Sequence, residues 1–195
     1  MTATTSTASE WQVDEWLNAA GPITLASLRG RVVVVLAFQM LCPGCVAHAL
    51  PLATRVHRVF PQSQVAMLGL HTVFEHHEAM SPIALRAFMH EYRVPFPVGI
   101  DRPASRGPIP ETMRSYAMRG TPTWLLYDTD GQLRQQWFGD IDALRLGAEI
   151  IHAEIKHTEI KHSVDDRSQT RGIANAVAKP GAGACDDVAC TLPDA

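Results

Sequence analysis

Long apolar runs are missing from this chain of 195 residues, and so is an excess of either charge. No stretch approaches the ~20 apolar residues needed to span a bilayer, so a membrane helix is not expected. The 17 Lys and Arg nearly balance the 20 Asp and Glu, and a net charge of −3 favours neither nucleic acid nor an anionic membrane surface as partner. Cysteine is scarce: four residues at this length are too few for a disulfide-stapled secreted scaffold. The opening MTATTSTASE has no basic stretch and no apolar one, so it does not read as a secretory signal, and a cytoplasmic location is expected. What remains is ordinary globular material, 46% hydrophobic and 19% charged, enough for one core. One domain of ~150 residues with an appendage is the expectation.

Two of the four cysteines stand together. Cys42-Pro43-Gly44-Cys45 follows the most apolar stretch of the chain, Val32-Val33-Val34-Val35-Leu36-Ala37-Phe38. A cysteine where a buried strand gives way to a helix faces unpaired backbone N–H groups and the positive end of the helix dipole, and both favour its thiolate. The thiolate is the nucleophile of disulfide exchange, and a second sulfur one turn on can resolve the mixed disulfide. This pattern reads as a redox motif. A half-site for zinc is the competing reading, but structural zinc wants four ligands. The remaining cysteines, Cys185 and Cys190, lie far downstream, and His48 shares the helix of Cys45. No metal or other cofactor is expected.

The rest of the chain alternates strands and helices. Trp11 to Leu17 has helical spacing, Gly21-Pro22 ends it, and Ile23-Thr24-Leu25 reads as a short extended piece. The β-branched run at 32–38 predicts a central strand buried on both faces. Val46, Ala49, Leu50, Ala53, Val56 and Phe60 predict a helix over 43–60, kinked at Pro51. Gln64 to Leu70 is a second buried strand. Ser81-Pro82 caps a helix running to about Tyr92, with Ile83, Leu85, Phe88, Met89 and Tyr92 mostly on one side. A short strand at 95–101 and a helix from Pro110 to Met118 follow. Thr121-Pro122 leads into a strand at 123–128, and Asp130-Gly131 turns it back through 132–138. Asp140 then caps a long helix with Ile141, Leu144, Ala148, Ile151 and Ile155 along one stripe. This order predicts an α/β fold: parallel strands joined by crossovers, an antiparallel hairpin at one edge and helices on both faces.

These residues resemble the thioredoxin-like redoxins of the TlpA/ResA type, related to AhpC/TSA proteins. The resemblance rests on Gly21-Pro22 to Arg31 leading into the Val-rich strand, on Cys42-Pro43-Gly44-Cys45, and on the extra helix–strand block of Ser81 to Asp101. Gly120-Thr121-Pro122-Thr123 and the Asp128 to Gly131 hairpin complete it. It implies a thioredoxin-like fold with a mixed central sheet, that helix–strand insertion, and a C-terminal hairpin and helix. It also implies Cys42 as attacking thiolate, Cys45 as buried resolving thiol, and Pro122 as a cis proline beside them. A cis X-Pro bond lies only ~0.5–1 kcal/mol above trans, so a fold can readily fix it. Leu41, Pro43, Gly44, Thr121 and Pro122 would then line the substrate groove. The implied partners are protein or small disulfides and dithiols, together with a redox partner that the sequence does not identify.

Three departures stand out. Leu41 occupies the place of the family's usual tryptophan, Pro51 falls one residue later than usual, and Leu36 replaces the buried aspartate of thioredoxins proper. Glu75 is the candidate for accepting the resolving thiol's proton, because a buried carboxylate with a raised pKa suits proton transfer near neutrality. A solvated loop is the plain alternative for Phe74-Glu75-His76-His77-Glu78, and a metal cluster with His71 is disfavoured because His76 and His77 are adjacent. A peroxidase of the peroxiredoxin type would need a proline and a threonine or serine where Val35 and Gln39 stand. A non-catalytic binding module, for a partner or a metal, is the other alternative.

Composition divides the chain into a disordered N-terminus at 1–10, the thioredoxin-like domain at 11–163, and a flexible tail at 164–195 carrying Cys185 and Cys190 in C-x4-C spacing. The tail dithiol either shuttles electrons to Cys42 on its tether or is merely a surface feature. The repeat of Glu154 to His157 in Glu159 to His162 has a five-residue period, so it holds no single helix face.

Overall fold

The β-branched run at 32–38 has no polar face, so only a strand covered on both sides can hold it. In the computed structural model, which describes residues 9–154, it forms β2 (Val32–Phe38), and every one of its side chains is buried. Each such Val or Leu is worth about 1.5–3 kcal/mol relative to exposure, which makes this strand the centre of the fold. It pairs in parallel with β3 (Val65–His71) and antiparallel with β5 (Thr123–Tyr127). β4 (Val98–Asp101) adds in parallel beyond β3, and β6 (Leu133–Phe138) returns antiparallel along β5. β1 (Val13–Leu17) closes the other edge antiparallel to β4, giving a six-stranded mixed sheet in the order β1-β4-β3-β2-β5-β6.

The alternation of β2 feeds two cores. Val32, Val34, Leu36 and Phe38 join Cys45, α1 (Leu50–Val59) and α2 (Pro82–Glu91) in one layer. Val33, Val35 and Ala37 meet Trp11, Met113 and Tyr127 in the other. Asp101, at the end of β4, is buried and caps the short α3 (Glu111–Ser115) by accepting from Thr112 N at 2.9 Å and Met113 N at 3.1 Å. It also accepts from the Thr72 hydroxyl at 2.8 Å, which ties β3 to the same node. The Asp128–Gly131 turn is organised by Asp128 Oδ1, which takes the N–H groups of Asp130 and Gln132.

Several elements depart from the sequence expectation. Residues 13–17 form a strand, not a helix, because the edge of β4 was open and Gly99 lets side chains lie directly on it. A Cβ at Gly99 would meet both Val13 methyls at 3.0 Å and Trp16 Cη2 at 3.2 Å. Ile23-Thr24-Leu25 forms no strand and leads into a 3-10 turn at Ala26–Leu28. The kink ahead of Pro51 is a π-turn over Cys45–Ala49, closed by Leu50 N–H donating to Cys45 O. A wider turn accommodates a ring that can neither donate nor tolerate a tight carbonyl four residues back.

Ser81 caps α2 as expected, accepting from Ala84 N at 3.3 Å, but Ile83 and Tyr92 face solvent while Leu85 and Met89 are buried. α3 is shorter than the expected 110–118, ending where Ala117 takes a φ of 47°. The last described helix, α4 (143–154), is rotated from the expected stripe. Leu144 is 85% exposed, and Leu146, Ile150 and Ala153 fill the core. Its cap is Asp142 rather than Asp140: Asp142 Oδ1 accepts from Leu144 N and Arg145 N at 3.0 Å each. No helix among the described residues is long and apolar enough to cross a membrane. The tail, with Cys185 and Cys190, lies outside the described residues.

Candidate active site

The chain leaves the carboxyl end of β2 through Gln39, Met40 and Leu41, and there the cysteine turn begins. Cys42 stands at the cap of the helical segment that follows. Its carbonyl accepts from Val46 N at 3.1 Å, closing the first helical bond. Its sulfur accepts the N–H of Cys45 at 3.3 Å, the service that a serine or aspartate oxygen gives at other helix starts. Cys42 is half-buried, whereas Cys45 is fully buried, and both are free thiols. Burial pushes the Cys45 thiol up to about 12, reinforced by its hydrogen bond with Cys42. The Gln39 backbone and the Thr121 side chain act in the opposite direction.

The opposite wall comes from the loop before β5. The Thr121–Pro122 peptide is cis, and Cys42 Sγ donates to Thr121 O at 3.5 Å. Gly44 lies against Pro122, whose Cδ would be 3.7 Å from a Cβ there. Gly120 is required by the Phe138 ring, which would stand 3.0 Å from any Cβ at that position. Leu41 is 56% exposed and Pro43 is also open to solvent. Thr121 and the buried Pro122 thus stand against Cys42 and Gly44, and Leu41 and Pro43 flank Cys42 on the exposed side of the turn.

Glu75 is exposed, so it is not the buried carboxylate that the sequence argument required. Its Oε1 accepts from Gln39 Nε2 at 3.4 Å, which ties it to the site through an intermediary. Gln39 is no site candidate in the sequence, where it stands only at the place of a peroxiredoxin's threonine or serine. It is 1% exposed, and its signal was a lone polar side chain between Phe38 and Met40 at the end of a buried strand. His71, at the end of β3, is also buried. It packs on Phe38 with ring centroids 5.4 Å apart, and desolvation pushes its imidazole down to about 4. His76 and His77 are exposed, and among the described residues no group of three or more His, Cys, Asp or Glu could hold a metal ion.

The model of the AhpC/TSA family matches residues 5–136, a span that holds every residue of this site. The chain belongs to the AhpC/TSA family. This AhpC/TSA protein is similar to a solved thioredoxin-like superfamily protein, with 58% identity, a TM-score of 0.74, and coverage of 75% of this chain and 95% of that one. A thiol-disulfide isomerase from Corynebacterium glutamicum is 46% identical, with a TM-score of 0.73 and the same coverage. Protein DipZ of Mycobacterium bovis is 29% identical over 129 residues, 65% of this chain. The match spans 17% of DipZ's own length. The fold is thioredoxin-like, and the relatives place this redoxin among the thioredoxin-like thiol–disulfide oxidoreductases.

Proposed function

We propose that this protein is an enzyme that cycles Cys42 and Cys45 between dithiol and disulfide on protein or small disulfide substrates. The observation carrying this reading is the asymmetry of the two sulfurs. Cys42 is accessible and receives a backbone N–H at 3.3 Å, while Cys45 is buried beside it with a thiol held protonated. Cys42 as thiolate attacks a substrate disulfide, forming a Cys42–substrate S–S bond and releasing the first substrate sulfur as thiolate. Cys45 loses its proton and attacks Cys42 Sγ, forming the Cys42–Cys45 disulfide and expelling the second substrate sulfur. Two electrons pass from the enzyme to the substrate, and an external dithiol restores the enzyme. Glu75 takes up the Cys45 proton through solvent, a role supported by its attachment to this network through Gln39.

The groove formed by Leu41, Pro43, Gly44, Thr121 and Pro122 holds the substrate chain in extended form. Its wall at Leu41 is aliphatic, so apolar residues flanking the substrate cysteine suit it. Peroxidase chemistry is the poorer fit. Val35 points into the layer away from Cys45, and Gln39, not a hydroxyl residue, stands before the cysteine turn.

Turnover of insulin disulfides tests the proposal. Wild type is expected to reduce them with an external dithiol as electron source, and Cys42→Ser to show nothing above the uncatalysed rate. Cys45→Ser is expected to trap a mixed disulfide that a gel resolves and mass spectrometry assigns to Cys42. An inactive wild type would end this reading.

A further inference from the structure

We propose that Arg119 is a specificity residue that selects disulfides carrying a carboxylate near the sulfur, with the Phe138 ring holding its guanidinium in place. This inference rests on the Cys42–Cys45 cycle proposed above and names the class of substrate that the same groove prefers.

The order of the sheet places the charge. β5 pairs with β2 and β6 with β5, in a register that sets Thr123 opposite Ala37 and Phe138 opposite Thr123. Strands lie about 4.8 Å apart, so the Phe138 backbone stands about 10 Å from the end of β2, where the cysteine turn departs. The cis-proline loop fills that interval. Gly139 N donates to Pro122 O at 2.8 Å, and the edge of the Phe138 ring would meet a Cβ on Gly120 at 3.0 Å. Thr121, the next residue, carries the carbonyl that accepts from Cys42 Sγ at 3.5 Å. Phe138 thus borders the groove on the cis-proline side, and it remains 48% exposed.

Arg119 is exposed and covers that ring, with its guanidinium carbon 5.1 Å from the ring centroid. An arginine stacked on an aromatic face keeps the edge of its fork free, and that edge takes a carboxylate through two parallel hydrogen bonds. Nearby arginines spend their charge within the fold, Arg114 on Glu111 and Arg134 on Asp128. Arg119 has no carboxylate at ion-pair distance among the described residues. The other flank of the site has the opposite sign. Glu75 follows β3, across β2 from the cis-proline loop, and is tied to the site through Gln39. A substrate carboxylate is therefore attracted on the Arg119 side and repelled on the Glu75 side, so it helps on one flank of the substrate cysteine only.

The test uses reduced full-length protein carrying Cys185→Ser and Cys190→Ser, mixed with symmetric disulfides of short peptides. The peptides carry Glu two residues before the cysteine, Glu two residues after it, or Gln at both places. Each Cys42–Cys45 dithiol oxidised cleaves one peptide disulfide into two thiols, which chromatography counts after acid quenching. One Glu peptide is expected to react about fivefold faster than the Gln peptide, with a gain that shrinks as salt is raised. Arg119→Gln should level the two, and Arg119→Glu should make the favoured peptide the slowest. The Gln peptide reports the intrinsic reactivity of Cys42, so the ratio separates charge recognition from a disturbed loop. Phe138→Leu keeps the charge without the stacking face and should reduce the gain to about twofold.

Oxidised glutathione and its esterified form supply the same comparison for a small disulfide. A gain lost in Arg119→Gln among the peptides alone assigns the carboxylate to a protein side chain, and one in the glutathione pair alone assigns it to a small disulfide. No gain in either series, or a gain that survives Arg119→Gln, would overturn the inference while leaving the Cys42–Cys45 cycle standing. A wild type that cleaves none of these disulfides would overturn both.

Discussion

Two buried polar side chains sit at carboxyl ends of strands, Asp101 on β4 and Gln39 after β2, and they are bonded in different styles. Asp101 takes three donors at 2.8, 2.9 and 3.1 Å, from Thr72, Thr112 and Met113, and pins α3 to the sheet. Gln39 makes three contacts of 3.3 to 3.5 Å, to Phe74, Glu75 and Thr121, and pins nothing so firmly. One short segment connects the two, since Thr72 reaches Asp101 and Phe74 reaches Gln39. A tight, satisfied node holds the fold, and a looser one stands where groups must change partners during a reaction. Chemistry and stability are thereby separated within a few residues of chain.

The largest effects should divide along that line. Cys42→Ser is expected to abolish turnover while leaving thermal unfolding close to wild type, as read by insulin reduction and calorimetry. Asp101→Ala should do the reverse. It strands two backbone N–H groups and a hydroxyl in the interior, for about 3 kcal/mol of lost stability by urea denaturation. The folded fraction of Asp101→Ala should turn over at a rate close to wild type. Should Asp101→Ala instead lose activity with its stability intact, the separation of the two nodes would be wrong.

A pH titration sharpens the comparison at a similar scale. Burial holds the His71 imidazole down at about 4 in the folded protein, against 6.5 for the free side chain. Between these values the unfolded chain binds a proton that the folded one refuses. The stability His71 contributes is therefore full above pH 6.5 and is lost as the pH falls toward 4, by about 3 kcal/mol. Asp101 works in the opposite direction, because burial raises its carboxyl and the folded state takes up its proton first as the pH falls. Urea midpoints at pH 7 and pH 4.5 should thus fall steeply in wild type and less steeply in His71→Phe, which keeps an aromatic ring on Phe38. Equal slopes in the two proteins would remove His71 from the account.

What was legible in the sequence follows the range of the forces involved. β2, the Ser81 cap and the Asp130-Gly131 turn were readable because β-branching, capping oxygens and glycine act within a few residues, whereas the cis Thr121–Pro122 bond was implied by the family resemblance. β1 was not, since Trp11 and Trp16 have helical spacing and only the open edge of β4, with Gly99 beneath, makes that segment a strand. The rotation of α4 escaped for a similar reason: moving its cap from Asp140 to Asp142 changes which stripe meets the sheet. In the site, the cysteine turn announced itself, but Gln39 did not. Its role depends on Phe74, Glu75 and Thr121, which lie 35, 36 and 82 positions away in the chain.

The smallest expected effect concerns Glu75, and it tests how far an exposed carboxylate assists the resolving sulfur. A well-placed general base contributes ~100-fold or more when it touches the proton it removes. Glu75 is exposed and is tied to the network only through Gln39 at 3.4 Å, so water competes with it for the Cys45 proton. Glu75→Gln keeps the shape and removes the charge, and it should slow expulsion of the second substrate sulfur by Cys45 only about threefold near neutral pH. The deficit should shrink as the pH rises, because hydroxide then takes the proton without help from any side chain. A Glu75→Gln variant slowed roughly a hundredfold, with a deficit that does not shrink as the pH rises, would make the carboxylate the direct acceptor of the Cys45 proton.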